Sequence, residues 1–391
     1  MKTNNKWVET AINLSSYLIV AAAAVFVTLT VCRSRTGKLA QLEEIVDRMF
    51  IDDYDRTEVQ DTAASALVQA LGDRWSYYIP AAQYGEIQER KNNAYVGVGI
   101  TISANQDHQG FPVIGVTAGG PAESAGVLPG DLVTMADGQN VLDMTQDQLR
   151  DIIRGKAGES IKVTVMRDGE TKEFSMVRAK ISTPVAWGKM LPGQQGLITI
   201  VNFNSGCSEA VIEQIETLLN EGAQSLIFDV RNNGGGFVDE MVKILDHLLP
   251  EGKIFQSIDY NGEETVNMSD SSCVDVPIAV MVNGSTYSAA EYFAAVLREF
   301  DRGIVVGENT TGKGHFQYTL PLKDGSAVNL SVGRYETPNG INLEEEGGLT
   351  PDVTVPVDDD TGAQIFARTL KPEQDPQIQA AVKALNPEKS K

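Results

Sequence analysis

The sequence predicts an α/β (α+β) multidomain protein: an N-terminal membrane helix, a helical segment, a small β domain, and a core built on a mixed or parallel sheet. Three observations predict it. Residues Thr10 to Cys32 carry no charge over 23 positions. From Tyr95 the chain breaks into short β runs punctuated by glycine. From about Thr183 strand-like and helix-like runs alternate, the pattern of βαβ units. At 42% hydrophobic and 22% charged residues over 391 positions, the composition is that of a folded chain.

The uncharged run comes first. As a helix it is roughly 34 Å long at about 1.5 Å per residue, enough to span a bilayer. Its apolar heart is Tyr17 to Val31. A buried core helix would need amphipathic flanks, and none is present. A cleavable signal peptide is the alternative. Val31 before Cys32 is too bulky for a lipoprotein signal. Lys2 and Lys6 on one side nearly balance Arg33, Arg35 and Lys38 on the other, so the positive-inside rule leaves the orientation open. Residues 10–32 are thus expected to associate with a membrane.

The charge balance bounds the partners. There are 32 Lys+Arg against 53 Asp+Glu, a net −21. Without residues 1–38 the counts are 27 and 52, a net −25. No nucleic-acid partner is expected, because a duplex demands a basic face. Nor would such a body lie flat on an anionic membrane. Three Cys and three His (His108, His247, His315) exclude a disulfide scaffold and leave little room for a metal site. Neither cofactor nor metal is expected.

Residues 39–92 read as a helical region. Leu42, Ile45, Val46 and Met49 recur at helical spacing, and Ala64 to Leu71 forms a second apolar run. Asp73 to Pro80 breaks the pattern. Residues 93–182 form the β domain, interrupted by one helix from Gln146 to Arg154. Residues 183–360 alternate: LITIVNF, a helix from Ser208 to Asn220, LIFDV, a helix near Val238 to Leu249, IAVMVNG, a helix from Ala289 to Phe300, then GIVVG. Residues 361–391 are a C-terminal helix and charged tail.

Within the β domain, Gly120-Pro-Ala-Glu-Ser-Ala-Gly-Val-Leu-Pro-Gly-Asp131 resembles the PDZ signature, in which a short helix of small residues precedes a Pro-Gly-Asp turn. Upstream, Tyr95, Val96, Gly97, Val98 and Gly99 resemble its carboxylate-binding loop. Glycines there let N–H groups converge on a chain terminus, and an adjacent strand edge can take a peptide as an added strand. The plainer alternative is a small β domain whose glycines serve only turns.

Three segments at the C-terminal ends of expected strands carry the chemistry: Asp229 to Gly236 (DVRNNGGG), Asn283 to Glu291 (NGSTYSAAE) and Gly307 to Gln317 (GENTTGKGHFQ). Each alone is modest, since a Ser before a helix is commonly an N-cap. Together they resemble the C-terminal processing peptidases, also called tail-specific proteases. The resemblance covers roughly residues 40–385, and includes Leu71-Gly-Asp-Arg-Trp-Ser76, Glu336 to Gly340 (ETPNG) and Gly348 to Asp352 (GLTPD). It implies Ser288 as nucleophile, Lys313 as base and Gln317 as supporting amide, at spacings of 25 and 4. Gly234 stands where the family has Pro. Thr286, Tyr287 and Ala290 depart around Ser288, with Tyr287 the largest change.

Chemistry constrains these roles. A Ser hydroxyl needs a base in reach, and Lys serves only when neutral. Gln317 can hold an amine through its carbonyl without adding charge. The Ala289 N–H, at a helix N-terminus, is one expected oxyanion donor, and Gly235 is the second, with Gly236 the alternative register. A Ser-His-Asp triad is the rival mechanism. His315 is two residues from Lys313, and such neighbours point to opposite faces of an extended segment.

The expectation is therefore a membrane-anchored serine endopeptidase whose PDZ domain recruits protein substrates by apolar C-terminal tails. The resemblance implies a cytoplasmic tip and signal anchor over 1–38 and a body outside the cytoplasm. A homo-oligomer stays open. The rival of another class is a catalytically silent PDZ adaptor that binds protein C-termini. The complete Ser/Lys/Gln set is what discriminates against it.

Overall fold

The computed structural model describes residues 37–105 and 108–386, so the uncharged run at Thr10 to Cys32 lies outside the described residues. Among the described residues no helix is long and apolar enough to cross a membrane. The chain divides into two compact units at Ala63/Ala64. In the first, helix α1 (Lys38–Met49) pairs its Glu43 and Asp47 with Arg56, at 3.1 and 2.8 Å. Arg56 opens helix α2 (Arg56–Gln69), which continues into the second unit.

The second unit begins with a turn at Asp73 to Ser76, strand β1 (Tyr77–Ile79) and helix α3 (Ala81–Lys91). The β domain follows. Strands β2 (Ala94–Gly97), β3 (Ile100–Ile102), β4 (Phe111–Val116) and β5 (Leu132–Ala136) enclose the short helix α4 (Pro121–Ala125). After β6 (Gln139–Asn140) come helix α5 (Gln146–Ile153) and the hairpin β7 (Ser160–Arg167) and β8 (Glu170–Val177). One antiparallel sheet runs β3-β4-β5-β7-β8. Alternation on β7 sends Ile161, Val163 and Val165 into a core with Val98, Phe111, Val133 and Leu149. Helix α5 starts at a capping box between Thr145 and Gln148, which supplies the orphan N–H groups of its first turn. Strand β9 (Ala179–Ser182) returns to pair with β2.

The third region is a three-layer sandwich. Its sheet is ordered β10 (Ala186–Met190), β11 (Gln195–Ile200), β12 (Ser225–Asp229), β15 (Ile278–Val282), β16 (Gly303–Gly307), β19 (Val353–Thr354). Only β10 is antiparallel to its neighbour. Strand β15 is buried at all five positions, which is why IAVMV is an unbroken apolar run, as expected of a parallel strand covered on both faces. Helices α6 (Cys207–Asn220), α7 (Val238–Leu248) and α8 (Ala289–Glu299) cover one face. Helix α10 (Pro376–Leu385), which follows α9 (Asp359–Ala367), covers the other through Ile378 and Ala381. Arg231, nearly buried, anchors α10 by pairing with Asp229 at 2.6 Å and Asp375 at 2.9 Å. The C-terminal helix is therefore part of the sandwich.

A second sheet, absent from the sequence reading, stands at the C-terminal ends of those strands. It is ordered β1-β18-β13-β14, with β17 also on β18; here β13 is Gly252–Asp259, β14 Glu264–Ser269, β17 His315–Pro321 and β18 Ala327–Glu336. Its strands pair antiparallel, and β1 enters by matching Tyr77 to Asn329.

Candidate active site

The loops after β12, β15 and β16 converge on a cleft of about 1190 Å³. Ser288, Lys313 and Gln317 line it together, as do Ala289, Gly234, Gly236, Tyr287, Tyr335 and, from the turn before β1, Arg74 and Trp75.

Ser288 ends the β15–α8 loop at φ 60°, a conformation sparsely allowed to a residue with a side chain. Helix α8 behind it is buried at every position from Ala289 to Leu297, so the serine rests on a fixed platform. The loop is pinned from the β12 side. Asn232 N–H donates to Asn283 Oδ1 at 2.9 Å, Asn283 Nδ2 donates to Asn232 Oδ1 at 3.0 Å, and Tyr287 N–H donates to Asn233 O at 3.2 Å.

The sequence reading missed the role of Glu291. Its carboxylate is fully buried in α8 and accepts from Ser288 N–H (3.0 Å), Thr310 Oγ1 (2.7 Å), Gly312 N–H (3.0 Å) and Lys313 N–H (2.9 Å). One side chain thus ties the Ser288 backbone to the Lys313 backbone. Burial pushes its pKa up, against the four donors, which favour the anion.

Lys313 is 8% exposed. Its Nζ donates to Gln317 Oε1 at 2.6 Å and lies 4.6 Å from the centre of the Trp75 ring. Burial lowers its pKa to about 8, overcoming Asp73, Glu291 and Glu344, which favour the ammonium. No hydrogen bond joins Nζ to Ser288 Oγ in this structure. The Tyr335 hydroxyl lies between their loops, donating to Lys313 O at 2.5 Å and touching the Ser288 side chain.

His315 is turned elsewhere, with Nδ1 at 2.5 Å from Glu344 Oε2. His247 faces Glu216 on helix α6 at 3.1 Å, and His108 is exposed in the β domain. None of the three histidines lines the cleft.

The expected oxyanion donors differ in availability. Ala289 N–H has no partner among the described residues. Gly235 N–H is engaged by Asn233 Oδ1 at 2.9 Å, whereas Gly236 N–H has no partner among the described residues. The Gly235 backbone is packed against Ser288: a Cβ there would meet Ala289 N and Ser288 Cβ at 2.8 Å. Of the two glycine N–H groups, that of Gly236 is the unengaged one.

In the β domain, Tyr95, Val96 and Gly97 lie on β2, and Val98 and Gly99 form the turn into β3. Val98 is buried, with its carbonyl taken by Ala122 N–H. Gly99 has φ 82°, which a side chain would strain. Val96 N–H reaches Glu89 Oε1 at 3.3 Å, and the Tyr95 ring carries the Arg154 guanidinium at 5.4 Å. Strand β3 pairs along one edge with β4; toward α5, Gln146 Nε2 reaches Ile102 O at 3.1 Å.

Known proteins match this arrangement. Residues 194–355 match the model of "Peptidase family S41" and residues 96–177 that of the "PDZ domain". The chain is 30% identical over 319 residues to the "C-terminal processing peptidase, chloroplastic" of Tetradesmus obliquus, covering 76% of this chain and 68% of that one. It is 30% identical over 324 residues to the "Carboxyl-terminal-processing peptidase 2, chloroplastic" of Arabidopsis thaliana, covering 79% of this chain and spanning 63% of that protein's length. A solved putative S41 protease from Bacteroides fragilis shares the fold at TM-score 0.51 and 14% identity, over 83% of this chain and 90% of that one.

Proposed function

The chain belongs to the C-terminal processing peptidases of peptidase family S41, and from that membership we propose that it is a serine endopeptidase acting through Ser288 and Lys313 on proteins captured by their C-terminal tails. The observation that carries this reading is Lys313 itself. A buried amine with a neutral carbonyl for its closest partner, in one cleft with a half-buried serine, suits a base better than a structural cation.

The steps follow from the groups present. Neutral Lys313 Nζ closes on Ser288 and takes the Oγ proton as Oγ attacks the scissile carbonyl carbon. The resulting oxyanion is met by the N–H groups of Ala289 and Gly236. The Lys313 ammonium returns its proton to the leaving amine, and the C–N bond breaks. Water, deprotonated by the same amine, then hydrolyses the acyl-serine. The Gln317 carbonyl keeps the amine placed without favouring its charge as a carboxylate would.

The tail-binding reading rests on the open edge of β3 and the Gly97 to Gly99 turn. A peptide added beside β3 would bring its terminal carboxylate to that turn. We also propose a single-pass membrane anchor at residues 10–32 with the body outside the cytoplasm, supported by the 23 uncharged positions. Alkaline extraction and protease protection of membranes test it: release of the protein by carbonate would end that reading. Ser288→Ala tests the enzyme. Loss of cleavage, with tail binding intact, is expected. Cleavage at the wild-type rate would leave the PDZ adaptor as the better reading.

A further inference from the structure

The motif Leu71-Gly-Asp-Arg-Trp-Ser76 lies far from the nucleophile in sequence, and the mechanism above does not use it. In the structure it wraps the base. The Arg74 guanidinium donates to Gly312 O at 2.7 Å, and the Trp75 ring lies 4.6 Å from Lys313 Nζ. Behind them runs a chain of hydrogen bonds. Gln317 accepts from Lys313 through Oε1 and donates through Nε2 to Ser331 Oγ at 3.0 Å and to His315 O at 3.0 Å. Ser331 N–H donates to Ser76 Oγ at 2.9 Å, and Ser76 Oγ donates to Asp73 Oδ2 at 2.5 Å. The Ser331 side chain also lies beside the Asp73 carboxylate.

We propose that Asp73 is a positioning residue for the base: its carboxylate fixes the Ser76 hydroxyl, Ser76 Oγ holds the Ser331 N–H, and Ser331 Oγ, with the His315 carbonyl, takes the Gln317 NH₂ so that Gln317 holds its carbonyl oxygen on Lys313. The argument is one of donors and acceptors. An amide can present either its oxygen or its NH₂ to Lys313, and only the oxygen accepts from an amine. The two groups at the other end of the amide, Ser331 Oγ and the acceptor-only His315 carbonyl, both take the Gln317 NH₂. The amide is then obliged to turn NH₂ toward Ser331 and oxygen toward Lys313. Burial works against ionisation of Asp73, but Ser331 beside it and the hydrogen bonds from Ser76 and Trp75 N–H hold its pKa below the usual carboxylate range, so the chain keeps its polarity at neutral pH. Placing the carboxylate further back gives orientation while leaving a neutral amide against the amine.

The inference rests on the Ser288/Lys313 reading, and its test separates the two. Steady-state cleavage of a peptide substrate is measured against pH for wild type, Asp73→Asn, Ser331→Ala, the double variant and Ser288→Ala, with thermal melts alongside. Asp73→Asn and Ser331→Ala should each lower kcat by about 10- to 100-fold, as expected for a misplaced reacting group, with KM moving less than about twofold. The double variant should be no worse than the poorer single, because both break one chain. The groups facing Lys313 are Asp73, Glu291, Glu344 and Lys91, with His315 facing Asp73. Asp73→Asn removes one that favours the ammonium, so its acid limb should move to lower pH. Ser331→Ala keeps every charge, so its limb should stay. Near-wild-type kcat in Ser331→Ala, or losses that multiply in the double variant, would overturn the positioning role while leaving the dyad standing. A fully active Ser288→Ala would remove both.

Discussion

Gly234 and Tyr287 are a matched pair: a Cβ at position 234 would lie 2.5 Å from the Tyr287 hydroxyl oxygen and 2.7 Å from Cζ. These are two positions at which the chain departs from the pattern of the peptidases it resembles. The phenol lies over the glycine and against Trp75, with ring centroids 5.6 Å apart. A bulky residue at 287 is therefore accommodated by the loss of a side chain at 234.

That pairing sets a double-variant expectation. Gly234→Ala should displace the Tyr287 ring and destabilise by about 1–2 kcal/mol, the scale of overpacking, with a fall in cleavage. Tyr287→Ser in the same chain should recover most of both losses. Denaturant unfolding and kcat/KM on the four proteins read the coupling, and simple additivity would show that the two residues are independent.

The base should declare itself in the pH profile. As the proposed base Lys313 would act when neutral, and burial lowers its pKa to about 8. Activity should therefore rise through about pH 8 and stay high on the alkaline side. Lys313→Ala should be inactive. His315→Ala, whose ring is turned to Glu344 and away from the cleft, should retain most activity. The reverse pattern would overturn the dyad.

The same amine should weaken the fold. Its pKa is lower in the folded state than in the unfolded chain, where lysine sits near 10.4. The unfolded state therefore binds more protons, and the Lys313 contribution to stability improves as pH rises from about 8 toward 10.4. At pH 7 the contribution is unfavourable. Lys313→Met should raise stability there by roughly 1–3 kcal/mol while abolishing cleavage. A melt at pH 7 and pH 10 checks both sign and trend.

Glu291→Gln should be costly in a different way. A carboxamide presents an NH₂ where the carboxylate accepts from Ser288, Thr310, Gly312 and Lys313. A loss of about 2–4 kcal/mol is expected for a broken buried network. At temperatures where the variant is folded, kcat should fall well below wild type with little change in KM. An unchanged kcat would mean that the two loops hold their positions without it.

Tail capture should appear in KM. A free-acid substrate with an apolar C-terminus should be cleaved several-fold better than its amide at low concentration. Gly99→Val, which forces a side chain into φ 82° beside Thr117, should erase that difference while sparing kcat. Equal cleavage of acid and amide by the wild type would remove the PDZ turn from substrate selection.

Much of this architecture is legible in local sequence. The runs of β12, β15 and β16 announce themselves because a doubly covered strand is apolar at every position, and α6, α7 and α8 begin and end within a residue or two of their expected limits. Ser288, Lys313 and Gln317 are picked out through the resemblance of their segments to the C-terminal processing peptidases, and the structure brings the three into one cleft. Trp75, Asp73, Tyr335 and the bridging role of Glu291 are not, since Trp75 and Asp73 meet the cleft across more than two hundred positions, and Tyr335 and Glu291 meet Lys313 across 22 positions and a change of element, where no periodicity reports them. The second sheet hides for a related reason. Its strands β13, β14, β17 and β18 are partly exposed, and their mixed composition reads as loop. The oxyanion register turns on one side chain, Asn233, occupying the Gly235 N–H.

The pairing of β1 with β18 has a consequence in time. Ser76 and Ser331 meet across 255 positions, with the PDZ domain and most of the sandwich between them. During synthesis the PDZ domain emerges first, then Ser288, then Lys313, and last the strand β18 on which β1 and the Asp73 to Ser76 turn dock. On the proposed mechanism, a chain still on the ribosome would present its PDZ domain before its cleft is complete. Chains ended after residue 300 should accordingly bind free-acid tails and fail to label with a serine-reactive phosphonate. Labelling of such a chain would show that the serine is activated before the late strands arrive.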